Sequence, residues 1–316
     1  MLMTPIEFNF GNAVGHFTKT DGPRGFLWKF ALAYAALACL MQVFSVFLQW
    51  PIYEGYIQLF TSGGDFDQYA EDMENMSMAT TFAGLLTMPL GILLWVMFEG
   101  ANQRRYMRGA GFGVRVGADE GRLLLVGLIW IALFIGMYIG FAIMIAIPVG
   151  VGLAMGPDAA LLAVLLGIVL VLGYMLLVLW FSARLSAAAA LTVRDKQIRF
   201  FESWRVTRGK GWTILGAWIV LGLIAMLVMI AFYLLLFALG AGILSAQVPD
   251  LMDGRTPDDE IMAAVMSPVF WGPMLVLVLG FAVAQSMLMH IFSGPAALAA
   301  RTDPEWISEG TLGEFE

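Results

Sequence analysis

The sequence predicts an all-α polytopic membrane protein with six transmembrane helices, and three observations carry that prediction. Of its 316 residues, 60% are hydrophobic and 13% charged, whereas a soluble domain carries about 25% charged residues. Six continuous apolar runs each reach the roughly 20 helical residues needed to cross a hydrocarbon core of about 30 Å. The remaining acids and bases are sorted into alternate connections. The mean hydropathy is +0.82, too apolar for a folded surface in water.

The runs cover residues 26–50, 79–98, 123–149, 159–181, 212–244 and 269–292. They are continuous rather than alternating, so helices are favoured over barrel strands, which are also about half as long. The first run is preceded by no signal-like core and cleavage site, and is expected to stay as an anchor. Trp28 and Trp50 flank it, and Trp180, Trp212 and Trp271 lie near ends of later runs, where indole rings favour the headgroup level. Pro51, Pro148 and Pro268 are expected where helices start or stop, and Pro89 is expected to kink the second run. The fifth run is longer than a perpendicular crossing needs, so it is tilted or extends beyond the bilayer.

Charge sets the orientation. Loop 51–78 holds Glu54, Asp65, Asp67, Glu71, Asp72 and Glu74 without a base, and loop 245–268 holds five acids and only Arg255. Turn 150–158 has Asp158 and no base. Loop 99–122 instead carries Arg104, Arg105, Arg108, Arg115 and Arg122, and loop 182–211 carries Arg184, Arg194, Lys196, Arg199, Arg205, Arg208 and Lys210. Basic loops stay in the cytoplasm. The expectation is a single membrane domain over 1–316 in a bacterial inner membrane. Residues 1–25 form a cytoplasmic interfacial segment, and a cytoplasmic tail begins at 293. Acids of the tail weigh little in this rule.

Two segments read as amphipathic helices at the cytoplasmic interface. Thr4-Pro5-Ile6-Glu7 has the form of a capping box, after which Ile6, Phe10, Val14 and Phe17 recur at helical spacing. Before the fifth run, Phe200, Phe201 and Trp204 share one face, and Asp195, Arg199 and Glu202 another. Such helices either meet anionic headgroups of the inner leaflet or pack beneath the bundle as elbows. Gly25, Gly121 and Gly211, each beside a base, precede the odd-numbered runs. One reading is three repeated helical hairpins; the other is that any cytoplasmic approach to a span tends to hold glycine and a base.

Polar residues in or beside the spans are the candidate sites, because polarity in lipid is costly. Gln42, Thr80, Thr81, Thr87, Gln285 and His290 lie within runs, and Glu99, Asn102, Ser182 and Arg184 at inner boundaries. Glu99 and Arg184 leave their spans at corresponding depths, so they either pair or reach water separately. His290 is read as a structural hydrogen-bonding residue in preference to a proton relay. Arg199, Trp204, Arg205, Arg208 and Lys210 complete the set of structural or lipid-contact residues. Gly109–Gly113 lacks the Gly-Lys-Ser/Thr end of a phosphate loop and reads as a flexible break. Gly136 with Gly140 is a GxxxG pair suited to close helix approach, and Gly152 with Gly156 serves a bend.

No catalytic, cofactor-binding or metal site is predicted. Asp65 with Asp67, and Asp253 with Asp258 and Asp259, do not follow a calcium-loop spacing and read as solvated acids. Hydrolase, zinc-protease and kinase signatures are absent. The lone Cys39 lies in an apolar run as a small buried residue. No basic groove with a nucleic-acid motif is present.

The patch 181–191, centred on Ser182-Ala183-Arg184-Leu185-Ser186, is followed by Glu202-Ser203-Trp204-Arg205-Val206-Thr207-Arg208-Gly209-Lys210-Gly211-Trp212. Together they resemble the multi-pass membrane domain found in, or beside, some bacterial glycerophosphodiester phosphodiesterases, and related stand-alone membrane proteins of unknown function. The resemblance is sharpest over about 30 residues and implies a membrane architecture. It does not imply the phosphodiesterase activity, because the catalytic barrel of about 250 residues is missing. The expected function is non-enzymatic: a membrane-organising or partner-binding subunit linked to lipid homeostasis, self-associating or joined to another membrane protein. The alternatives are a transporter or channel for a small or lipidic solute, and an intramembrane enzyme acting on lipid headgroups near Glu99, Arg184 and His290.

Overall fold

The computed structural model describes residues 6–50, 52–53, 55, 66–156, 158, 160–249 and 257–306, with the side chains of 66–79 and 258–259 outside that set. Among the described residues the chain is helical and has no strand. A short helix, α1 (Phe10–Gly15), is followed by α2 (Phe26–Leu48), α3 (Phe66–Arg108), α4 (Ala118–Met155) and α5 (Ala160–Leu185). Two short helices, α6 (Ala188–Asp195) and α7 (Glu202–Val206), lead to α8 (Gly211–Gln247), α9 (Asp258–Val265) and α10 (Pro268–Arg301). Six of these, α2, α3, α4, α5, α8 and α10, are long and apolar enough to cross a membrane, as the six runs require. Their outer faces carry large apolar side chains: Leu153, Phe237 and Tyr138 are 82%, 77% and 75% exposed. In water such a surface would aggregate. In lipid it is solvated, and the helices fit a multi-pass membrane protein.

The helix ends follow the backbone dipole. Asp119 and Glu120 sit in the first turn of α4, while Arg105 and Arg108, Arg184 and Arg301 sit in the last turns of α3, α5 and α10. Acids are favoured at N-termini and bases at C-termini. Several boundaries depart from the sequence expectations. α3 continues through Glu99 to Arg108, and α10 runs past position 293 to Arg301, so the supposed tail begins as helix. α1 starts at Phe10 because Asn9 caps it, its side-chain oxygen accepting from the Asn12 amide at 2.8 Å. Of the proposed capping box, Thr4 and Pro5 lie outside the described residues, and residues 6–9 are not helical.

Pro268 opens α10 as expected, whereas Pro148 lies inside α4, which continues to Met155. A Cβ on Gly167 of α5 would come within 3.3 Å of the Pro148 ring, so the bare glycine gives the ring its space. Pro51 lies outside the described residues. The Gly136/Gly140 pair divides. A Cβ on Gly140 would sit 2.4 Å from the Tyr174 hydroxyl, which donates to the Met137 carbonyl at 2.6 Å, while a Cβ on Gly136 would meet nothing within 4 Å. We expect Gly140→Ala to lower the unfolding free energy by about 1 kcal/mol relative to Gly136→Ala, the worth of that displaced hydrogen bond. Denaturant titration of the two variants in detergent checks it. At Gly156 the backbone turns at φ +77°, closing the α4–α5 hairpin.

The chain divides into two compact units. One comprises 1–24, 99–221 and 291–316; the other comprises 25–98 and 222–290. The first holds the α4–α5 hairpin and every described arginine. Its core joins Tyr106, Met107, Ala187, Leu191, Val206, Ala297 and Ala300. Beside that, Ala13 and Val14 of α1 pack on Ala217 and Leu298, so α1 docks on this unit by one face while Phe10 stays 48% exposed. The second unit is apolar and aromatic, with Phe30 edge-on to Phe98 at 5.3 Å and Phe232 edge-on to Phe281 at 5.7 Å. The glycines of the three helix approaches differ locally: Gly25 is left-handed at φ +80°, Gly121 lies within α4, and Gly211 opens α8.

Candidate functional site

Most of the described arginines are paired with carboxylates of this chain. Asp119, at the start of α4, is the first hub. Arg108, Arg122, Arg115 and Arg104 reach its carboxylate at 2.8, 3.1, 3.4 and 3.9 Å. Arg104 also binds the buried Glu120. Four guanidinium groups around two adjacent acids fix the 109–117 connection to the ends of α3 and α4. Arg105 holds the N-terminal segment, donating to Thr20 Oγ1 at 3.1 Å and the Gly22 carbonyl at 3.5 Å, while Arg301 pairs with Asp21 at 2.8 Å.

Asp303, just beyond α10, is the second hub. Arg194 and Arg205 each reach it at 3.3 Å, and Arg205 also pairs with Glu305 at 2.8 Å. Arg199 pairs with Glu202 at 3.1 Å. These groups and Trp306 line a polar cleft of about 350 Å³ whose cations already have carboxylates within it. Lys210 donates to the Ala299 and Thr302 carbonyls at 3.2 and 3.1 Å and to Thr302 Oγ1 at 2.9 Å, satisfying the C-terminus of α10. Burial pushes its ammonium group below the usual lysine range, and the Asp303 carboxylate offsets part of that. Arg199, Arg205 and Lys210 are therefore engaged in structural bonds.

Arg184 and Arg208 are different. Neither forms an ion pair among the described residues. Arg184 is the penultimate residue of α5, and its carbonyl accepts from Ser203 Oγ at 3.0 Å and Thr207 Oγ1 at 2.7 Å. Ser203 Oγ also accepts from the Ala187 amide at 3.0 Å, so α7 caps α5 and anchors the turn into α6. This cap sets the place of Trp204. The Arg184 guanidinium lies over the Trp204 ring at 4.5 Å and near Trp180 at 5.7 Å, and donates to the Trp204 carbonyl. Trp180 meets Trp204 edge-on at 5.3 Å, and Phe181 lies 5.5 Å from it. A Cβ on Gly211 would sit 2.8 Å from Arg184 Cδ, so glycine there admits the arginine stem. Arg208 is exposed, and its charge bears on Arg184. The elbow thus holds two cations without an ion pair among the described residues, Arg184 against two tryptophan rings and Arg208 exposed, at the end of an apolar helix, with Trp212 67% exposed just beyond. Chemically this suits an anionic group such as a phosphate.

The remaining predicted residues fall elsewhere. Glu99 and Arg184 do not pair: Glu99 is buried and accepts from Gln103 Nε2 at 2.7 Å and Asn102 Nδ2 at 3.4 Å. His290 is buried in the apolar unit, 5.3 Å from Phe26 and 6.2 Å from Phe30. Gly109–Gly113 is coil after α3, turning at Gly109 with φ +57°. Among the described residues no group of three or more His, Cys, Asp or Glu is placed to hold a metal. Asp65 and Asp253 lie outside the described residues, as do the side chains of Asp67, Asp258 and Asp259. Sequence reasoning missed Asp119 and Asp303 as hubs, and Ser203 and Thr207 as caps. The signal for Asp119 was present, as two adjacent acids, Asp119 and Glu120, in a loop that carries five arginines.

No family model, curated protein or solved structure matches this chain.

Proposed function

We propose that this chain is a non-enzymatic organising protein of a bacterial inner membrane, with both termini cytoplasmic, that grips anionic lipid headgroups at the Arg184–Arg208 elbow. The carrying observation is that, among the described residues, these two arginines of the 182–211 segment form no ion pair while its other arginines, Arg194, Arg199 and Arg205, do. An uncompensated guanidinium at the border of an apolar helix is stabilised by lipid phosphate, and each such base contributes about 1 kcal/mol. Trp180, Trp204 and the exposed Trp212 suit the headgroup level. The likeness of this patch to membrane domains found beside glycerophosphodiester phosphodiesterases points the same way, towards phospholipid. The arginine-bearing segments then form a rigid inner-leaflet platform on which a second copy or another membrane protein docks.

Native mass spectrometry of the full chain, released from mild detergent, tests this reading. The expected spectrum shows retained phosphatidylglycerol or cardiolipin. Retention of phosphatidylethanolamine alone, or of no lipid, contradicts it.

A further inference from the structure

We propose that Glu99 is a proton-binding site, carrying its proton at neutral pH and served by Gln103 in both its protonated and ionised states. This goes beyond the headgroup reading and is independent of the Arg184 elbow. Glu99 is 8% exposed and takes part in no ion pair among the described residues. Its two bonds come from neutral amides, and only the Gln103 bond, at 2.7 Å, is short. The Asn102 contact, at 3.4 Å, is long for a donor facing a carboxylate. A buried anion held by one neutral donor is costly, and uptake of a proton removes that cost.

Among the described residues, the neighbouring charges are turned to other partners. On α3, Arg104 is turned to Glu120, Arg105 is turned to Thr20 and Gly22, and Tyr106 is a second buried acid within electrostatic reach. From α4, the Glu120 carboxylate passes 2.6 Å from where a Cβ on Gly100 would stand, and it is already paired with Arg104. From the N-terminal segment, His16 stacks on Tyr106 at 5.3 Å. From α10, Ser293 Oγ accepts from Asn102 Nδ2 at 2.8 Å, and His290 lies one turn earlier on that helix. Gln103 adds a second observation: it is buried, and its Oε1 has no hydrogen-bond partner. A half-turn of the amide exchanges its ends, so Gln103 donates to the ionised carboxylate or accepts from the carboxylic acid.

The test uses the full chain in phospholipid nanodiscs and a hydrophobic carbodiimide. A carboxylic acid adds across the reagent's C=N bond, its proton going to nitrogen and its oxygen to carbon; the O-acylisourea then rearranges to a stable N-acylurea. A carboxylate brings no proton to this addition. The expected result is carbodiimide adduct mapped to Glu99 by peptide mass spectrometry at neutral pH, declining as pH rises. It is unchanged by sodium chloride against choline chloride. Infrared difference spectra against Glu99→Gln, a same-shape variant, should show loss of one carboxylic-acid carbonyl band. Protection by sodium would replace the proton site with a monovalent-cation site and overturn the proposal. Absence of the acid band at neutral pH would overturn it as well, whether or not the reagent reaches the site.

Discussion

Asp119→Ala should destabilise the protein by about 3 kcal/mol, the lower end of the cost of stripping one partner from a buried ion cluster. The side chain is 8% exposed, while Arg108, Arg115 and Arg122, which share its two oxygens, are 27%, 58% and 29% exposed. Removing the carboxylate leaves these charges facing one another beside Arg104, with only Glu120 to balance them. Water reaches three of the four arginines, which keeps the loss from rising further. Arg115→Ala removes the most exposed member and should cost no more than about 1 kcal/mol. Denaturant-induced unfolding of the two variants in the same detergent separates the cases. Equal midpoints for Asp119→Ala and Arg115→Ala would show that the hub holds nothing together.

The double replacement Arg184→Ala with Arg208→Ala should weaken anionic-lipid binding roughly 30-fold, from about 1 kcal/mol per base. Neither arginine has a carboxylate partner among the described residues, so little ion pairing is lost with them. Arg205→Ala is the discriminating control. It removes a base of the same loop, but one bound to Asp303 and Glu305 at 3.3 and 2.8 Å. Its expected signature is lowered stability with lipid retention near wild type. Titration of phosphatidylglycerol into delipidated protein, followed by native mass spectrometry, reads both. If Arg205→Ala and the double variant lose lipid equally, general surface charge rather than the elbow binds headgroups.

The six long helices were legible because crossing a bilayer demands length and apolarity together, and both are properties of contiguous sequence. The ends were less legible. α3 extends through Glu99, Asn102 and Gln103, whose side chains bond one another at helical spacing, so polar composition did not end the helix. Pro148 did not stop α4 because the space it needs is supplied by Gly167 on another helix, which no local pattern displays. At the elbow, the residue types were readable: Arg184, Trp204 and Arg208 belong to one short arginine- and tryptophan-bearing stretch. Which bases are neutralised was not readable. Arg194 meets Asp303 across 109 positions and Arg301 meets Asp21 across 280, and charge counting by loop cannot register such pairings. The acids after α10 carry little weight in setting orientation, yet Asp303 is among the most buried charges described.

Cysteine accessibility tests the central claim most directly. Cys39 is replaced by alanine, and single cysteines are placed at Gln197, between α6 and α7, and at Met266, between α9 and α10. A membrane-impermeant maleimide is then applied to spheroplasts before and after permeabilisation. The account predicts that Met266→Cys reacts at once and Gln197→Cys only after the membrane is opened. Immediate labelling at Gln197, or labelling at Met266 only after permeabilisation, would place the arginine platform on the outer face and contradict the account.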